Sequence, residues 1–271
     1  MITDFVQRFT ERKESRRPAG ELIKTSAYDV ARIVSSNEAS SFVERHHYAA
    51  TCSSTAHRFG LYCRGELVGV ACFGPPASEN VRKKVFPMLT PKNFASLGRF
   101  VLVDSVPGNG ESWFIARCFE LLREKGIVGI ESCADPEPRA AMDGGIVFRG
   151  HLGTIYCATN GRYIGKTNPS TLRLLPDGTC LSNRSSGKLV RGERGSSHPI
   201  DQLERWGAEP LELGEDPHEW LAFWRDRLTT TMRHRGCHRY IWCLDRRRRR
   251  ELLQAPALAY PKNENFQRRA G

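Results

Sequence analysis

A carboxylate and a hydroxyl, Glu111 and Ser112, directly follow the turn Gly108-Asn109-Gly110. The backbone N–H groups of such a turn, at the start of a helix, can bind a phosphate or a carbonyl oxygen. This interpretation makes Gly108, Asn109 and Gly110 candidate cofactor-binding residues. The segment is equally compatible with a plain turn in which Glu111 is a favourable first-turn charge. The residues alone leave both interpretations open.

Three further side chains could transfer protons. Asp135 ends the apolar run IVGIESCAD, and a carboxylate just past the end of a buried strand is well placed for a ligand site. His47 and Tyr48 stand together in ERHHYAAT, where imidazole and phenol offer proton transfer near neutral pH and a stacking surface. The alternatives are a polar loop residue, a helix-capping histidine and a packed tyrosine.

Aromatic and basic side chains are mixed in GHLGTIYCATNGRYIGKT, residues 150–167. Nucleic-acid grooves combine these residue types, because aromatic rings stack on bases and cations attract phosphates. The candidates here are Arg162, Tyr163 and Lys166 for nucleic-acid binding, and Tyr156 and Asn160 for binding the cofactor. Ordinary loops can be equally rich in such residues, so the segment does not decide the function.

The charge balance points to a polyanionic partner. The chain has 41 Lys and Arg against 30 Asp and Glu, a net charge of +11, and an excess of this size favours phosphate backbones. Much of it lies late in the chain, with a run from Arg246 to Arg250. Because no basic helix with a bulky apolar face is apparent, nucleic acid is favoured over a membrane surface.

The remaining composition indicates a folded protein of a reducing compartment. Nine cysteines are scattered without a CxxC pair, which argues for free thiols. The charged N-terminus has no apolar signal region, and no stretch is long enough to span a bilayer. We therefore expect a cytoplasmic protein that does not interact with membranes.

The hydrophobic pattern predicts the elements that must position these residues. Residues 58–74 read as a hairpin and residues 95–106 as a third strand. The apolar spacing from Ser112 to Lys125 predicts a helix, and residues 127–135 a buried strand. Strand, helix and strand in so short a segment predict a βαβ unit with parallel strands.

Elsewhere the pattern is weaker. Residues 1–20 predict a frayed or helical arm, and residues 25–47 short helices with Ser26 and Asn37 as N-caps. Later segments predict a short helix at residues 151–160, a hairpin at 171–183 and a capped helix from Asp216. A strand is predicted at 238–245 and a terminal helix in the arginine run. The predicted fold class is α/β, or α+β around a mixed sheet.

Taken in order, the segments resemble the Mom family of DNA modification proteins, which look like relatives of the GNAT acyltransferases. The matching segments are HY of ERHHYAA, LYCRGELVGVACFG, LGRFVLVDSVPGNGES, IESCAD, GHLGTIYCATNGRYIGKT and HRYIWCLDRRRRRELL…AYPK. The resemblance covers Ala39 to Lys262. It implies a GNAT-like mixed central sheet flanked by helices, with a basic C-terminal extension. The expected organisation is a polar arm (1–24), a catalytic domain (25–198) and a basic segment packed on it (199–271).

The resemblance also implies an activity. Family members convert the exocyclic amine of adenine in DNA to an N6-carbamoylmethyl (acetamido) group, which protects phage DNA from restriction. The implied functional positions are His47, Tyr48, Glu111, Ser112 and Asp135, followed by Tyr62 and Tyr156. The target base must be flipped out of the duplex.

The acyl donor is open between acetyl-CoA and glycyl-tRNA. GNAT enzymes that use acyl-CoA have an R/Q-x-x-G-x-G/A segment at this turn, whereas Val106 stands in the leading position here and Glu111 would repel a pyrophosphate. An N6-glycyl adenine can instead rearrange to the carbamoylmethyl product, which favours glycyl-tRNA. The family has been linked to iron, for which His47, Asp135 and Glu111 are candidate ligands, although their spacing does not require a metal.

The expected partners are double-stranded DNA, tRNA and a second copy of the chain. The residues expected to contact nucleic acid are Tyr62, Arg99, Arg162, Tyr163, Lys166, Arg246, Arg247 and Arg248. Two rival functions remain: a GNAT-type N-acyltransferase acting on a protein or small-molecule amine, and a non-catalytic DNA-binding protein.

Overall fold

A computed structural model describes residues 4–52, 55–193 and 196–262. Within these ranges, the helices are α1 (Ser36–His46), α2 (Glu79–Val85), α3 (Gly110–Glu124), α4 (Thr154–Ala158), α5 (Asn183–Val190), α6 (Ser197–Glu204), α7 (Pro217–Leu228) and α8 (Arg249–Leu252). The strands are β1 (Phe5–Thr10), β2 (Lys13–Pro18), β3 (Tyr28–Arg32), β4 (His57–Cys63), β5 (Glu66–Gly74), β6 (Phe94–Leu102), β7 (Gly129–Ala134), β8 (Arg139–Ala140), β9 (Ile146–Phe148), β10 (Arg162–Lys166), β11 (Ser170–Leu174), β12 (Cys180–Leu181), β13 (Thr230–His234) and β14 (His238–Cys243).

The chain divides into two compact units. The main unit comprises residues 1–136, 151–167 and 237–271, and the inserted unit comprises residues 137–150 and 168–236. These boundaries differ from those of the segments 1–24, 25–198 and 199–271 expected from the sequence. The inserted unit has 12 basic and 12 acidic residues, so the whole net charge of +11 belongs to the main unit.

The main unit is built on a seven-stranded sheet in the order β10-β14-β7-β6-β5-β4-β3. Strands β6 and β7 are parallel, and the other neighbouring pairs are antiparallel. The predicted βαβ unit is thus confirmed as β6-α3-β7. The predicted hairpin at 58–74 is confirmed as β4–β5. Its turn places Arg64 and Gly65 at positive φ, as a two-residue turn between twisted strands requires.

Helices pack on both faces of this sheet. Phe114, Cys118 and Leu122 of α3 lie fully buried in one apolar cluster with strand residues. Ala39 and Val43 of α1 pack in a separate cluster with residues of β5 and β6. Burying a side chain as large as Phe114 contributes roughly 1.5–3 kcal/mol. The start of α3 and the strand before it are therefore held firmly, and the mixed α/β fold expected from the sequence is confirmed.

The expectation of a frayed or helical arm at residues 1–20 was wrong, although residues 1–3 lie outside the described part. Strands β1 and β2 form an antiparallel hairpin, and Glu11 and Arg12 form its turn at φ of 51° and 64°. Charged residues normally indicate a solvated segment, but here Arg8 points inward and is only 1% exposed. The composition therefore concealed the hairpin.

The two short helices expected at residues 25–47 were also partly wrong. Residues 28–32 form the edge strand β3, which pairs with β4, and one helix, α1, follows. Its N-cap is Ser35, whose hydroxyl accepts a hydrogen bond from the Glu38 N–H at 3.3 Å, rather than Ser26 or Asn37. Pairing with a strand distant in sequence overrode the local helical spacing.

The inserted unit has its own small core. Strands β12, β11 and β13 form an antiparallel sheet, and Leu175, Leu203 and Trp220 are buried together with neighbours from α5, α6 and α7. The predicted hairpin at 171–183 is confirmed as β11–β12. The predicted helix cap is confirmed as well, since the Asp216 carboxylate accepts from the His218 N–H at 2.8 Å.

The other late elements agree with expectation. Helix α4, strand β14 and helix α8 occur where a short helix, a strand and a terminal helix were predicted. Residues 263–271 of the expected basic segment lie outside the described part. Among the helices described, none combines the length and apolarity that a membrane crossing needs.

Candidate active site

The parallel strands β6 and β7 part midway along the sheet. Their pairing runs from Phe94–Gly129 to Leu97–Ser132. The register of β6 against β5 shifts just beyond Leu97, and such a bulge bends the strand and turns it away from its neighbour. At the point of separation, the Ser132 hydroxyl donates to the Leu97 carbonyl at 3.0 Å.

Tyr156 lies at this separation. It is buried on α4, and burial raises its pKa to about 12, while hydrogen bonding with Ser132 opposes the rise. The charges of Glu111 and Arg99 also act on its phenol, Glu111 raising the pKa and Arg99 lowering it. The charges of two other residues predicted from the sequence, Glu111 and Arg99, therefore reach the Tyr156 phenol.

Glu111 is an acid in an almost dry environment. It lies in the first turn of α3 and is 8% exposed. Burial raises its pKa to about 7, and the nearby Arg8 guanidinium only partly offsets this effect. The two side chains are 3.4 Å apart, from Arg8 Nε to Glu111 Oε1. A carboxylate with this pKa is suited to accept a proton at neutral pH.

Arg8 is a site residue that sequence reasoning missed. Its guanidinium reaches from the N-terminal hairpin and donates to the Pro107 carbonyl at 2.9 Å through Nη2. Burial is the main cause that lowers its pKa, and the charge of Glu111 counteracts this. No local signal could have identified it, because the many charges that follow β1, from Glu11 to Arg17, made the segment read as a solvated arm.

His47 and Tyr48 lead towards Tyr156 along a row of aromatic rings. Their centroids are 4.2 Å apart. The Tyr48 ring lies 6.2 Å from that of His151, which lies 6.5 Å from that of Tyr156. Phe9 of the hairpin contacts Tyr48 at 5.2 Å. We call these rings (His47, Tyr48, His151 and Tyr156) the aromatic row.

A backbone hydrogen bond decides which tautomer the neutral His47 ring adopts. Its Nδ1 atom accepts a hydrogen bond from the Ala49 N–H at 3.0 Å. The neutral ring therefore carries its proton on Nε2, where it can donate a hydrogen bond.

Asp135 directly follows β7, next to the aromatic row. Its backbone carbonyl accepts a hydrogen bond from the His151 N–H at 2.7 Å. This bond fixes the start of the segment that carries His151 and Tyr156. Sequence reasoning missed His151, although it lies within GHLGTIY, a segment that was noted for its tyrosines.

The N–H groups of the glycine turn are occupied by the chain itself. The Gly108 N–H donates to the Glu21 carboxylate at 3.1 Å, and the Asn109 N–H to the Glu21 carbonyl at 3.2 Å. The Gly110 N–H donates to the Pro107 carbonyl at 2.9 Å. A side-chain carboxylate thus takes the place that an anionic ligand would have at this turn.

The residues before β3 also close the turn sterically. A Cβ atom on Gly108 would lie 2.1 Å from the Pro18 carbonyl oxygen, so glycine is needed for close backbone approach. Glu21 is held by two hydrogen bonds from Arg17, at 2.9 and 2.6 Å. The turn as folded does not fit the pyrophosphate of a CoA thioester, since Glu21 and Pro18 would have to leave.

Other predicted residues line a second feature, a cavity of about 1040 Å³ in the main unit. We call this cavity the basic groove. Its lining includes Ser112, Asn160, Arg162, Tyr163 and Arg246. The Ser112 hydroxyl donates to the Asn109 carbonyl at 2.9 Å. Glu111 and Ser112, although adjacent, therefore serve different surroundings.

A few predicted residues lie neither around Glu111 and Tyr156 nor in the lining of the basic groove. Tyr62 lies on β4, and its hydroxyl donates to Glu38 at 3.4 Å. Lys166 is exposed at the end of β10. Arg247 and Arg248 are bound through their backbone N–H groups to the Asp245 carboxylate.

Two of the expected iron ligands, Glu111 and His47, are engaged by other groups of the chain. Glu111 faces the Arg8 guanidinium, and a metal ion there would meet a positive charge. His47 has one ring nitrogen engaged with Ala49. The residues present do not fit iron at Glu111, and no step below uses a metal.

The similarity to known structures is low in sequence and in geometry. One match is a tandem GNAT protein from the clavulanic acid biosynthesis pathway, at 11% identity and a TM-score of 0.37, covering 55% of this chain and 48% of that one. The chain thus spans about half the length of that protein. A putative acetyltransferase, YncA, from Salmonella typhimurium, with its cofactor acetyl-CoA, matches at 8% identity, a TM-score of 0.37 and coverage of 81% and 95%. A putative acetyltransferase from Pyrococcus horikoshii matches at 10% identity, a TM-score of 0.35 and coverage of 89% and 98%.

The sequence comparison is more specific. No curated protein sequence matches the chain. The model of one family, described as the Mom protein family, matches residues 28–262. This range holds the aromatic row, Glu111 and the whole lining of the basic groove. The chain belongs to the Mom protein family.

Proposed function

We propose that this protein is a DNA-modifying transferase that converts the exocyclic amine of adenine to an N6-carbamoylmethyl group. Membership of the Mom family supports the substrate and product. The observation that carries the catalytic part is the buried Glu111 carboxylate, whose pKa is raised to about 7 by burial and whose charge acts on the Tyr156 phenol. The modified base would protect phage DNA from restriction.

Glu111 would act as the general base. The amine of adenine is a weak nucleophile because its lone pair is delocalised into the ring, so attack on an acyl carbon requires removal of a proton. A base with a pKa near the working pH combines a useful ionised fraction with a strong drive to accept the proton. Arg8, 3.4 Å away, orients the carboxylate and stabilises its charged form.

Tyr156 would stabilise the oxygen on which negative charge develops. With its pKa raised to about 12, the phenol stays protonated at neutral pH and can donate a hydrogen bond. A fixed donor in a water-poor site stabilises the transition state of acyl transfer more than the ground state. The positive charge of Arg99, which lowers the pKa of Tyr156, adds to this effect.

Tyr48 and His151 would hold the flipped adenine. Both rings are half-buried, so each has a surface left for contact as well as packed neighbours that fix it. Enzymes that modify a base inside a duplex rotate it into a pocket and stack it on aromatic side chains. His47, with its proton on Nε2, would support Tyr48 from behind.

Glycyl-tRNA fits this site better than acetyl-CoA as the donor. The Gly108 N–H already binds Glu21, whereas an aminoacyl ester does not need a pyrophosphate at this turn. The adenine N6 would attack the ester carbonyl, its proton would pass to Glu111, and the tRNA 3′ hydroxyl would leave with a proton. The amine of the N6-glycyl group would then form a bond to ring carbon 6, and the original C6–N6 bond would break. This isomerisation gives N6-CH2-CO-NH2 with no atom gained or lost.

The test is the nucleoside content of DNA exposed to the protein. Purified protein, plasmid DNA and carbon-labelled donor are mixed, and the nucleosides are separated by mass spectrometry. We expect a labelled N6-carbamoylmethyl deoxyadenosine with glycyl-tRNA and none with acetyl-CoA. Glu111→Gln should remove the product, while Glu124→Gln, an exposed residue of the same helix, should not.

The rival functions give different results in this assay. Label found on a protein or a small-molecule amine, with unmodified deoxyadenosine, would identify an N-acyltransferase of another substrate. DNA binding without any labelled product would leave a non-catalytic DNA-binding protein. Product formed from acetyl-CoA would keep the transferase and overturn the choice of donor.

A further inference from the structure

The basic groove carries more positive charge than its surroundings balance. Arg123 of α3, Arg162 of β10, Arg249 of α8 and the nearby Arg246 all line it. One acidic residue of the lining, Glu120, is itself paired with Arg117 at 2.9 Å. Four guanidinium groups from three parts of the chain therefore converge on one cavity.

Two of these arginines repel each other. The pKa of Arg162 is lowered, first by burial and then by the charge of Arg249. Arg162 donates to the Ala255 carbonyl at 2.8 Å, which is a neutral acceptor. The buried Nε atom of Arg249 has no hydrogen-bond partner among the described residues. Half-buried like charges that repel each other are unfavourable, and a phosphate between them would relieve this repulsion.

Aromatic rings line the same groove. Tyr260 is 38% exposed, and its hydroxyl donates to the Gly161 carbonyl at 2.9 Å. Trp242 is fixed by a hydrogen bond from Nε1 to the Thr159 carbonyl at 3.1 Å. Of these two rings, the buried Trp242 forms part of the wall, and Tyr260 offers a stacking surface at little cost in side-chain entropy. Stacking rings among cations are the pattern by which proteins bind unpaired nucleic-acid strands.

The groove lies beside the candidate active site. Trp242 lines it and also packs edge-on against Tyr156, with centroids 5.5 Å apart. Ser112 lines it as well and directly follows Glu111. The groove and the candidate active site therefore share the Trp242 side chain and the first turn of α3.

We propose that the basic groove binds an unpaired nucleic-acid strand and delivers it to the active site. The role of this binding rests on the proposed function. The proposal adds which class of nucleic acid binds to the surface next to the active site. A duplex keeps its bases stacked on one another, so it could not place them on recessed rings. A volume of about 1040 Å³ is at the upper end of the roughly 300–1,000 Å³ range of small-molecule pockets, so a single phosphate would leave most of it empty.

The charge test measures binding of fluorescent oligonucleotides of about eight nucleotides, within the roughly 4–16 nucleotides of known single-strand sites. Fluorescence anisotropy is followed across a salt series for the triple variant Arg123→Gln/Arg246→Gln/Arg249→Gln. For single strands, each phosphate contact contributes about 0.7 to the steepness with which log K falls as log salt rises. Three lost contacts should lower the slope by about 2 and weaken binding about 100-fold at 0.1 M salt.

A matched variant controls for net charge. Lys24→Gln/Arg32→Gln/Arg64→Gln removes three exposed charges near the opposite edge of the sheet, around β3 and β4. It should keep the slope and affinity of the unaltered protein. Equal losses in both triple variants would overturn the proposal, because the binding would then follow total charge rather than the groove.

Stacking is tested at Tyr260. Tyr260→Ala should weaken binding about 5- to 150-fold, the equivalent of roughly 1–3 kcal/mol per stacked base, whereas Tyr260→Phe keeps the ring and should bind nearly as the unaltered protein does. If Tyr260→Ala binds unchanged, the ring is not a stacking surface and the proposal fails.

Separate arms identify the source of the strand. Tighter binding of single-stranded RNA assigns the groove to an RNA substrate, and tighter binding of single-stranded DNA assigns it to the DNA around the target base. Both outcomes support the proposal, and a preference for duplex DNA overturns it. Binding is measured without turnover, so the two proposals can fail separately. If the groove binds single strands but the protein modifies no adenine, the proposed function is wrong and this inference stands.

Discussion

Glu111→Gln replaces a buried, titrating carboxylate with a neutral group of nearly the same shape. The pKa of Glu111 is raised from 4.5 to about 7 by burial, so the folded protein holds this proton more tightly than the unfolded chain does. The stability that this proton contributes is fully present below pH 4.5 and is lost as the pH rises to 7. At about 1.36 kcal/mol per pKa unit, the loss is about 3 kcal/mol.

The assay is urea unfolding of the unaltered protein and Glu111→Gln at a series of pH values from 4.5 to 8. The free energy of unfolding of the unaltered protein should fall relative to that of Glu111→Gln by about 3 kcal/mol between pH 4.5 and 7, and should then run parallel to it. Glu124→Gln, an exposed change on the same helix, should keep the pH dependence of the unaltered protein. Parallel curves for the unaltered protein and Glu111→Gln over the whole range would refute a raised pKa.

The same pKa fixes the pH dependence of the reaction. A base with a pKa of about 7 must lose its proton to act, so the rate should rise through pH 7 and at pH 6 reach about a tenth of its plateau. Loss of the base should lower the rate roughly 10²- to 10⁴-fold. A rate that is independent of pH between 5.5 and 8 would exclude Glu111 from this role, even if its pKa is raised.

Three further predictions concern packing, the donor and the inserted unit. Gly108→Ala puts a Cβ atom 2.1 Å from the Pro18 carbonyl oxygen and should destabilise the fold by about 1–3 kcal/mol in urea unfolding; Gly20→Ala, which meets nothing within 4 Å, should change it little. Acetyl-CoA should leave Tm unchanged, because Glu21 occupies the glycine turn. A ligand that binds there, added at 100 times its Kd, would stabilise the protein by about 2.7 kcal/mol. A rise in Tm of that size with acetyl-CoA would contradict the occupied turn. Asp216→Ala should cost about 1 kcal/mol of stability through loss of the N-cap of α7, while Asp216→Asn, which keeps an acceptor for the His218 N–H, should cost much less.

The sequence by itself determined the elements around the site. The spacing of Phe114, Cys118 and Leu122 fixes one apolar face of α3, and the short, continuous apolar run after it favours a buried strand. Their short connection leaves a parallel βαβ unit as the favoured arrangement. The ordered motifs from ERHHYAA to AYPK were enough to indicate the family, because each motif is local in the chain.

Only the tertiary structure decided which groups surround Glu111 and the glycine turn. Arg8 reaches the carbonyl of Pro107, a residue 99 positions away, and Glu21 reaches the N–H of Gly108 across 87 positions. Periodicity and local motifs describe neighbours within a turn or a strand, so they carry no information on such pairs. The pKa of Glu111 depends on the water that packing excludes and on the charge that Arg8 brings. For this reason the sequence could name the carboxylate as a candidate, and only the fold could raise its pKa to about 7.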